Sequence, residues 1–320
     1  MCVSLASKLR LNARCLRKLW ENRVPMRALL NSDNLPFVSG FPPGHFYSPL
    51  PDVRDISDNA SVLFDQSLKG LDGIDMDEAR QSHLLSCFAN LYPDTQFPEK
   101  KVPEYRYYLD NPYFSFGDGI ILGCVLRHFK PKRVTEIGAG FSSAEMLDAR
   151  DHFLAQELEL TIIEPHPDRL YALLSEKDRA SCKIQVAPVQ AVDVRIFALL
   201  EENDILFVDS SHVGKIQSDV LHIIFRILPM LKRGVIVHFH DIIWPFEYPR
   251  YWLEHGRAWN EAYLLRAFLQ FNTAFEILYF NSFMAIHHSK ALQERMPLVL
   301  RPSSSHETVG NSSLWLRKKS

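Results

Sequence analysis

No stretch of this 320-residue chain approaches the roughly 18 apolar residues that a membrane span requires, so a transmembrane helix is excluded and any membrane contact is peripheral. Charge of one sign is also lacking. The 36 Lys and Arg stand against 38 Asp and Glu, which leaves no global electrostatic argument for nucleic acid. The five cysteines, Cys2, Cys15, Cys87, Cys124 and Cys182, have no paired spacing, which fits reduced thiols in a cytoplasmic protein. A further absence is local: the glycine-rich loop described next has no third glycine.

That loop lies in Arg133-Val-Thr-Glu-Ile-Gly-Ala-Gly-Phe-Ser-Ser143, which reads as a buried strand, a Gly-x-Gly turn and a helix. Val134 and Ile137 are core-facing strand positions, Gly138 and Gly140 free the turn from Cβ clashes, and Ser142 or Ser143 can cap the helix. Such a turn lets a nucleoside cofactor touch the backbone. Downstream, Leu160-Thr-Ile-Ile-Glu164 is a second apolar strand ending in a carboxylate, at about the separation from which such folds hold a ribose diol. Two carboxylate oxygens offer about four lone-pair sites, which suits bidentate acceptance. A third glycine allows close helix packing beside a pyrophosphate; serine in its place disfavours NAD.

From this point strand and helix patterns alternate. Strands are expected near 133–139, 159–165, 183–189, 204–210, 234–240, 275–281 and 283–288, with helices near 119–129, 142–156, 167–176, 193–202, 213–231 and 259–271. Near-continuous apolar strands separated by helices mean a parallel sheet covered on both faces. Asn281-Ser282 is too short for a crossover, so the last two strands must pair antiparallel. The expected fold is α/β: a doubly wound, mainly parallel, Rossmann-like sheet of seven strands with a terminal antiparallel hairpin and an N-terminal cap.

Four segments follow from composition. Residues 1–30 form a basic amphipathic arm, with seven Lys and Arg against the single acid Glu21, suited to a solvated surface helix or to contact with anionic lipid, a partner or a targeting receptor. Residues 31–112 form a Pro- and aromatic-rich cap, and the aromatic stretch Tyr105–Asp118 that crosses its end can line a substrate mouth or pack. Residues 113–290 are the cofactor-binding domain, and 291–320 a polar, flexible tail.

Glu136 before Gly138, the Gly-x-Gly turn and Glu164 together resemble class I methyltransferases that use S-adenosylmethionine. Asp204-Ile-Leu-Phe-Val-Asp209-Ser-Ser-His212 is similar to their fourth strand, and Arg233-Gly-Val-Ile-Val-His-Phe-His240-Asp241 to their fifth. The Asp-x-x-His ending and the His-Asp pair resemble the bacterial sugar and natural-product O-methyltransferases of the macrocin type. The resemblance covers about 113–288. It implies that Glu136 and the Gly138–Gly140 loop, with Ser142, hold the methionine end of the cofactor while Glu164 accepts both ribose hydroxyls. Gln190, after the third strand, is either the adenine-facing residue or an exposed helix entry.

Ligands in such sheets bind beyond the carboxyl ends of the strands, where Asp209, His212, His240 and Asp241 converge. A sugar-type hydroxyl is a poor nucleophile until a base or a metal takes its proton's place. Two chemistries stay open. Asp209, His240 and Asp241 can hold a divalent metal such as magnesium, although in related metal-dependent sugar O-methyltransferases the fifth-strand pair is typically Glu-Asp, whereas here it is His240-Asp241 and imidazole suits softer metals. Otherwise His212 or His240 is a general base, and His238 closes hydrogen bonds. The following loop offers Trp244, Tyr248, Arg250, Arg257 and Trp259 to a ring-shaped or anionic acceptor. The expected function is methylation of an oxygen on a small or glycosidic acceptor; an NAD-dependent oxidoreductase or a catalytically silent binding module are the alternatives.

Overall fold

Short runs of Val, Ile, Leu and Phe, each followed by a helical segment, can bury both kinds of element by laying helices on a parallel sheet. The computed structural model of the chain shows that arrangement and describes residues 40–155, 157–305 and 310–320. The basic arm expected at 1–30 lies outside the described residues. Residues to Leu63 and residues from Phe64 form two separate units. In the first, Asp52 starts the helix Val53–Asp58 by accepting the Arg54 N–H at 2.8 Å, and Phe41 stacks on His45 at 5.1 Å.

The second unit is built on β1 Arg133–Ile137, β2 Glu159–Ile163, β3 Lys183–Gln185, β4 Ile205–Val208, β5 Ile236–Phe239, β6 Phe275–Phe280 and β7 Leu314–Lys318, in the order β3-β2-β1-β4-β5-β7-β6. The first five pair in parallel; β7 runs antiparallel to both β5 and β6. Every residue of β4 and β5 is buried, as strands covered on both faces must be. The strand order reverses between β1 and β4, which opens a crevice beyond their carboxyl ends.

The helices that matter for the site are α1 Glu78–Leu91, α2 Phe116–Phe129, α3 Phe141–His152, α4 Asp168–Leu173, α5 Arg250–Glu254, α6 Glu261–Leu269 and α7 Asn281–His287. Residues 64–112, expected within a separate cap, belong to the sheet's own unit. Phe88 of α1 is fully buried with its ring 5.3 Å from that of Tyr279, and Gln81 Oε1 accepts the Phe280 N–H. The helix expected at 193–202 is a 3-10 segment, Val194–Leu199. That expected at 213–231 begins only at Asp219, where Ser218 caps it, because residues 210–218 run along the site as a loop.

Six of the expected strands stand where the apolar runs put them; the last does not. Residues 283–288 fall in and after α7, because Phe283 and Met284 are adjacent and both buried, which a helix can accommodate and a one-sided edge strand cannot. The antiparallel partner is β7, inside the segment expected to be a flexible tail. Ser312 and Ser313 in front of it are fully buried and donate to Asp118 at 3.2 and 2.7 Å, so this polar run is held by a buried carboxylate. Among the described residues no helix is long and apolar enough to cross a membrane, and Cys87, Cys124 and Cys182 are free.

Candidate active site

The turn after β1 is tight because β4 ends against it. Gly138 has φ +80°, and a Cβ there would stand 1.9 Å from the carbonyl oxygen of Asp209. Gly140 is less constrained: its Cβ would meet only the Arg169 side chain, at 3.1 Å. Glu164, at the end of β2, accepts the Ala139 N–H at 3.0 Å and the His166 N–H at 2.7 Å, one on each oxygen. Its carboxylate is thereby aimed, with lone pairs left over.

Glu136 does something different from what was expected of it. It lies fully buried beneath the turn and accepts from Ser142 Oγ at 2.6 Å and Ser143 Oγ at 2.5 Å. Burial pushes its carboxyl up to about 8, against the lowering effect of the two serine bonds. Glu136, Gly140 and Ser142 line neither of the two cavities at this edge; they staple the turn to the start of α3.

The larger cavity, about 440 Å³, is bordered by Gly138, Glu164, Asp209, His212, His240 and Asp241, together with Tyr113, Arg169, Arg257 and Trp259. The smaller, about 320 Å³, shares Gly138, Glu164 and Asp209 with it and reaches Gln190. Gln190 donates to the Gln217 carbonyl at 2.7 Å, which fixes its side chain at that end.

His212 is the centre of the polar wall. Its Nδ1 is 2.9 Å from Glu261 Oε2, and its Nε2 is 3.4 Å from Asp209 Oδ1 and 3.6 Å from Asp241 Oδ2. Burial opposes the imidazolium, but the bonds to Asp209 and Glu261 outweigh it and hold His212 well above the ordinary histidine value. Asp209 shows the converse. Burial would raise it, yet the His212 bond and the charge of His240 keep it at about 2. His240 Nε2 stands 3.6 Å from Asp241 Oδ1; burial lowers His240, and the charges of Asp241 and Asp209 more than compensate. Asp241 is pushed up by its own burial, which His240 and His212 offset only in part. His212 (φ +59°) and Asp241 (φ +55°) both sit in the left-handed region, a strain that packed surroundings must maintain. His238 is fully buried and 2.9 Å from Ser313 Oγ, the structural role expected of it.

The geometry gives the metal expectation no support. Among the described residues no group of three His, Cys, Asp or Glu is arranged to hold a metal ion. The His212 ring lies 3.4 Å from Asp209 Oδ1 and 3.6 Å from Asp241 Oδ2, so one oxygen of each carboxylate faces an imidazole.

Of the five aromatic and basic residues expected at the acceptor, two border the larger cavity. Arg257 and Trp259 border the cavity, with the Trp259 ring 4.4 Å from that of His212 and the Arg257 guanidinium 5.3 Å over Trp259. Trp244 is fully buried and donates to the Leu68 carbonyl at 3.0 Å. Tyr248 is buried behind Trp259, its hydroxyl accepting the Ala262 N–H at 3.1 Å. Arg250 pairs with Glu254 on the surface at 2.8 Å. These three serve packing and α5 because the loop turns inward immediately after β5.

Sequence reasoning missed Tyr113, Arg169, Ser210, Ser211 and Glu261. Tyr113 lay within the aromatic stretch suspected of lining a mouth. Glu261 is indistinguishable in sequence from an ordinary acidic residue in a first helical turn. Arg169, five residues beyond Glu164, carried no signal.

Residues 135–242 match the family described as a methyltransferase domain. An uncharacterized protein of Archaeoglobus fulgidus is 30% identical over 167 residues, which is 51% of this chain and 75% of that protein. Similar solved structures include an S-adenosylhomocysteine-bound methyltransferase of Podospora anserina, at 17% identity over 85% of this chain and 98% of that one, TM-score 0.40. Another is an O-methyltransferase of Streptomyces achromogenes involved in tomaymycin synthesis, in complex with S-adenosylmethionine, at 15% identity over 83% and 96%, TM-score 0.41.

Proposed function

The chain belongs to the class I S-adenosylmethionine-dependent methyltransferases, and from that premise we propose that it methylates an oxygen of a small-molecule or sugar-type acceptor seated in the 440 Å³ cavity. The nicotinamide dinucleotide and silent-module readings fall away with the family. A cytoplasmic setting accords with the free thiols.

The residues fit the cofactor. Gly138 leaves backbone exposed where any side chain would strike Asp209, and Glu164 borders both cavities with its carboxylate already aimed. In this reading Glu164 takes the ribose hydroxyls, Gln190 marks the adenine end, and Glu136 with Ser142 supports the turn from below without contact. When bound, the cofactor supplies an electrophilic methyl group on a sulfonium.

The observation that carries the oxygen assignment is the His240–Asp241 pair facing the same cavity as the glycine turn. A neutral amine can attack without prior loss of a proton; a hydroxyl gains much from a base. His212 is unsuited to that task, because both its nitrogens are directed at carboxylates, which favour its protonated form. It acts as a fixed cation that orients Asp209 and Asp241. His240 Nε2, at 3.6 Å from Asp241 Oδ1 and thus free of a short bond to it, receives the hydroxyl proton, and the charges of Asp241 and Asp209 stabilise the resulting imidazolium. Trp259 offers a ring face to the acceptor.

The test is methyl transfer from S-adenosylmethionine labelled in its methyl group to a panel of hydroxylated rings, sugars and matched amines. Label in an ether or ester product supports the assignment. Transfer confined to nitrogen or carbon would sink it.

A further inference from the structure

Arg169 is the second residue of α4, and its position relative to the glycine turn is unusual for a surface arginine. Its Cδ lies 3.1 Å from where a Gly140 Cβ would be, so the aliphatic stem runs across the turn in space that the glycine leaves open. Its guanidinium then sits 3.8 Å over the ring of Tyr113, which itself lies 6.0 Å from the ring of Phe141 at the start of α3, and both residues border the larger cavity. A cation stacked on an aromatic face is held in place with its planar N–H edge still available. Asp209, Glu164 and Asp241 also border this cavity, but no ion pair or hydrogen bond joins the Arg169 side chain to any described residue; the stacking on Tyr113 is what orients it.

We propose that Arg169 is the anchor for the α-carboxylate of the cofactor's methionine portion, with Tyr113 as the platform that orients it. This rests on the cofactor seat argued above. The turn at Gly138–Gly140 is where the amino-acid end of the cofactor must pass, and a planar fork of donors beside it matches a carboxylate in bidentate fashion. A lysine, a point charge on a flexible stem, would serve less well. The pairing of Gly140 with Arg169 also gives Gly140 a purpose that its extended backbone does not require: it leaves room for the arginine stem.

The experiment is calorimetric titration of the full chain and its R169Q variant with two ligands. S-Adenosylhomocysteine carries the carboxylate; 5′-deoxy-5′-methylthioadenosine has the same nucleoside and no amino-acid portion. Loss of one charge-assisted pair should weaken S-adenosylhomocysteine by roughly 10- to 100-fold in R169Q and leave methylthioadenosine within about twofold. Tyr113→Leu, which keeps the arginine and removes its platform, should give a smaller loss confined to the same ligand. Equal losses for both ligands, or unchanged affinity for S-adenosylhomocysteine, would overturn the assignment; the second result would place Arg169 on the acceptor side. If the unmodified chain bound neither ligand, the cofactor seat itself would be at fault.

Discussion

Glu261 Oε2 lies 2.9 Å from His212 Nδ1, and both side chains are almost wholly buried, so the end of β4 and the start of α6 share one charge-assisted hydrogen bond across 49 residues of chain. The same oxygen accepts Ser210 Oγ at 2.8 Å, and the His212 carbonyl accepts the N–H groups of Asn260 and Glu261 at 3.1 and 3.2 Å. Trp259 directly precedes this clasp. The Trp259 wall of the cavity is therefore fastened to the carboxyl edge of the sheet by a buried charge.

Glu261→Gln removes that charge and keeps the shape. His212 should then titrate at a lower pH, and the protein should lose about 1–3 kcal/mol near neutral pH. The sign follows from the raised value of His212 in the fold: its contribution is complete below about pH 6.5 and fades as pH rises through the folded value. Urea unfolding across that range should show stability falling with pH in the parent and a flatter profile in the variant. Identical profiles would mean that His212 is not held as a cation by Glu261.

If His240 is the base, it must be neutral to act. Its value lies above the ordinary histidine one, so the transfer rate should rise with pH through a midpoint above about 6.5. His240→Ala should lower kcat by on the order of 100- to 10,000-fold with S-adenosylhomocysteine binding retained. Exhaustive chelation should leave the rate unchanged. A rate abolished by chelation and restored by a divalent ion would return the reaction to metal chemistry.

The two glycines of the turn should respond differently to a methyl group. Gly138→Ala places a Cβ against the Asp209 carbonyl at a positive φ, and should cost on the order of 3 kcal/mol or more, read from chemical denaturation. Gly140→Ala meets only the movable stem of Arg169 and should fold with little loss. Equal stabilities would show that β4 does not press on the turn.

If Glu164 takes the ribose hydroxyls, Glu164→Gln preserves the contour of that seat and removes its charge. S-Adenosylhomocysteine affinity should fall roughly tenfold or more, since bonds to a charged acceptor contribute about 1.5–3 kcal/mol. An unchanged dissociation constant would assign the ribose to another residue.

Much of the site was legible because strand ends announce themselves. An apolar run that stops at Glu164, Asp209 or His240-Asp241 must deliver those side chains to the carboxyl edge of a parallel sheet, whatever the loops do. The loops were harder. Trp244, Tyr248 and Arg250 have the composition of an acceptor wall, but composition does not say which way a chain turns after β5, and here it turns into the core. The terminal hairpin was misplaced for a similar reason: Asn281-Ser282 looks like a turn between strands, while the true partner, Leu314-Trp315-Leu316, lies behind serines whose burial depends on Asp118, nearly 200 residues earlier.

By itself, then, the sequence determined the mainly parallel α/β class, six of its strands, the glycine turn, the carboxylate that closes β2 and the set of acids and histidines at one sheet edge, because each follows from local periodicity and strand termination. Only the tertiary structure decided their chemistry. Whether His212 is a base or a fixed cation depends on Glu261 reaching it from another helix, and the place of Arg169 over the glycine turn depends on Tyr113, more than fifty residues earlier, meeting its guanidinium. Protonation state and ligand contact are set by neighbours within a few ångströms in space, which a one-dimensional pattern does not specify.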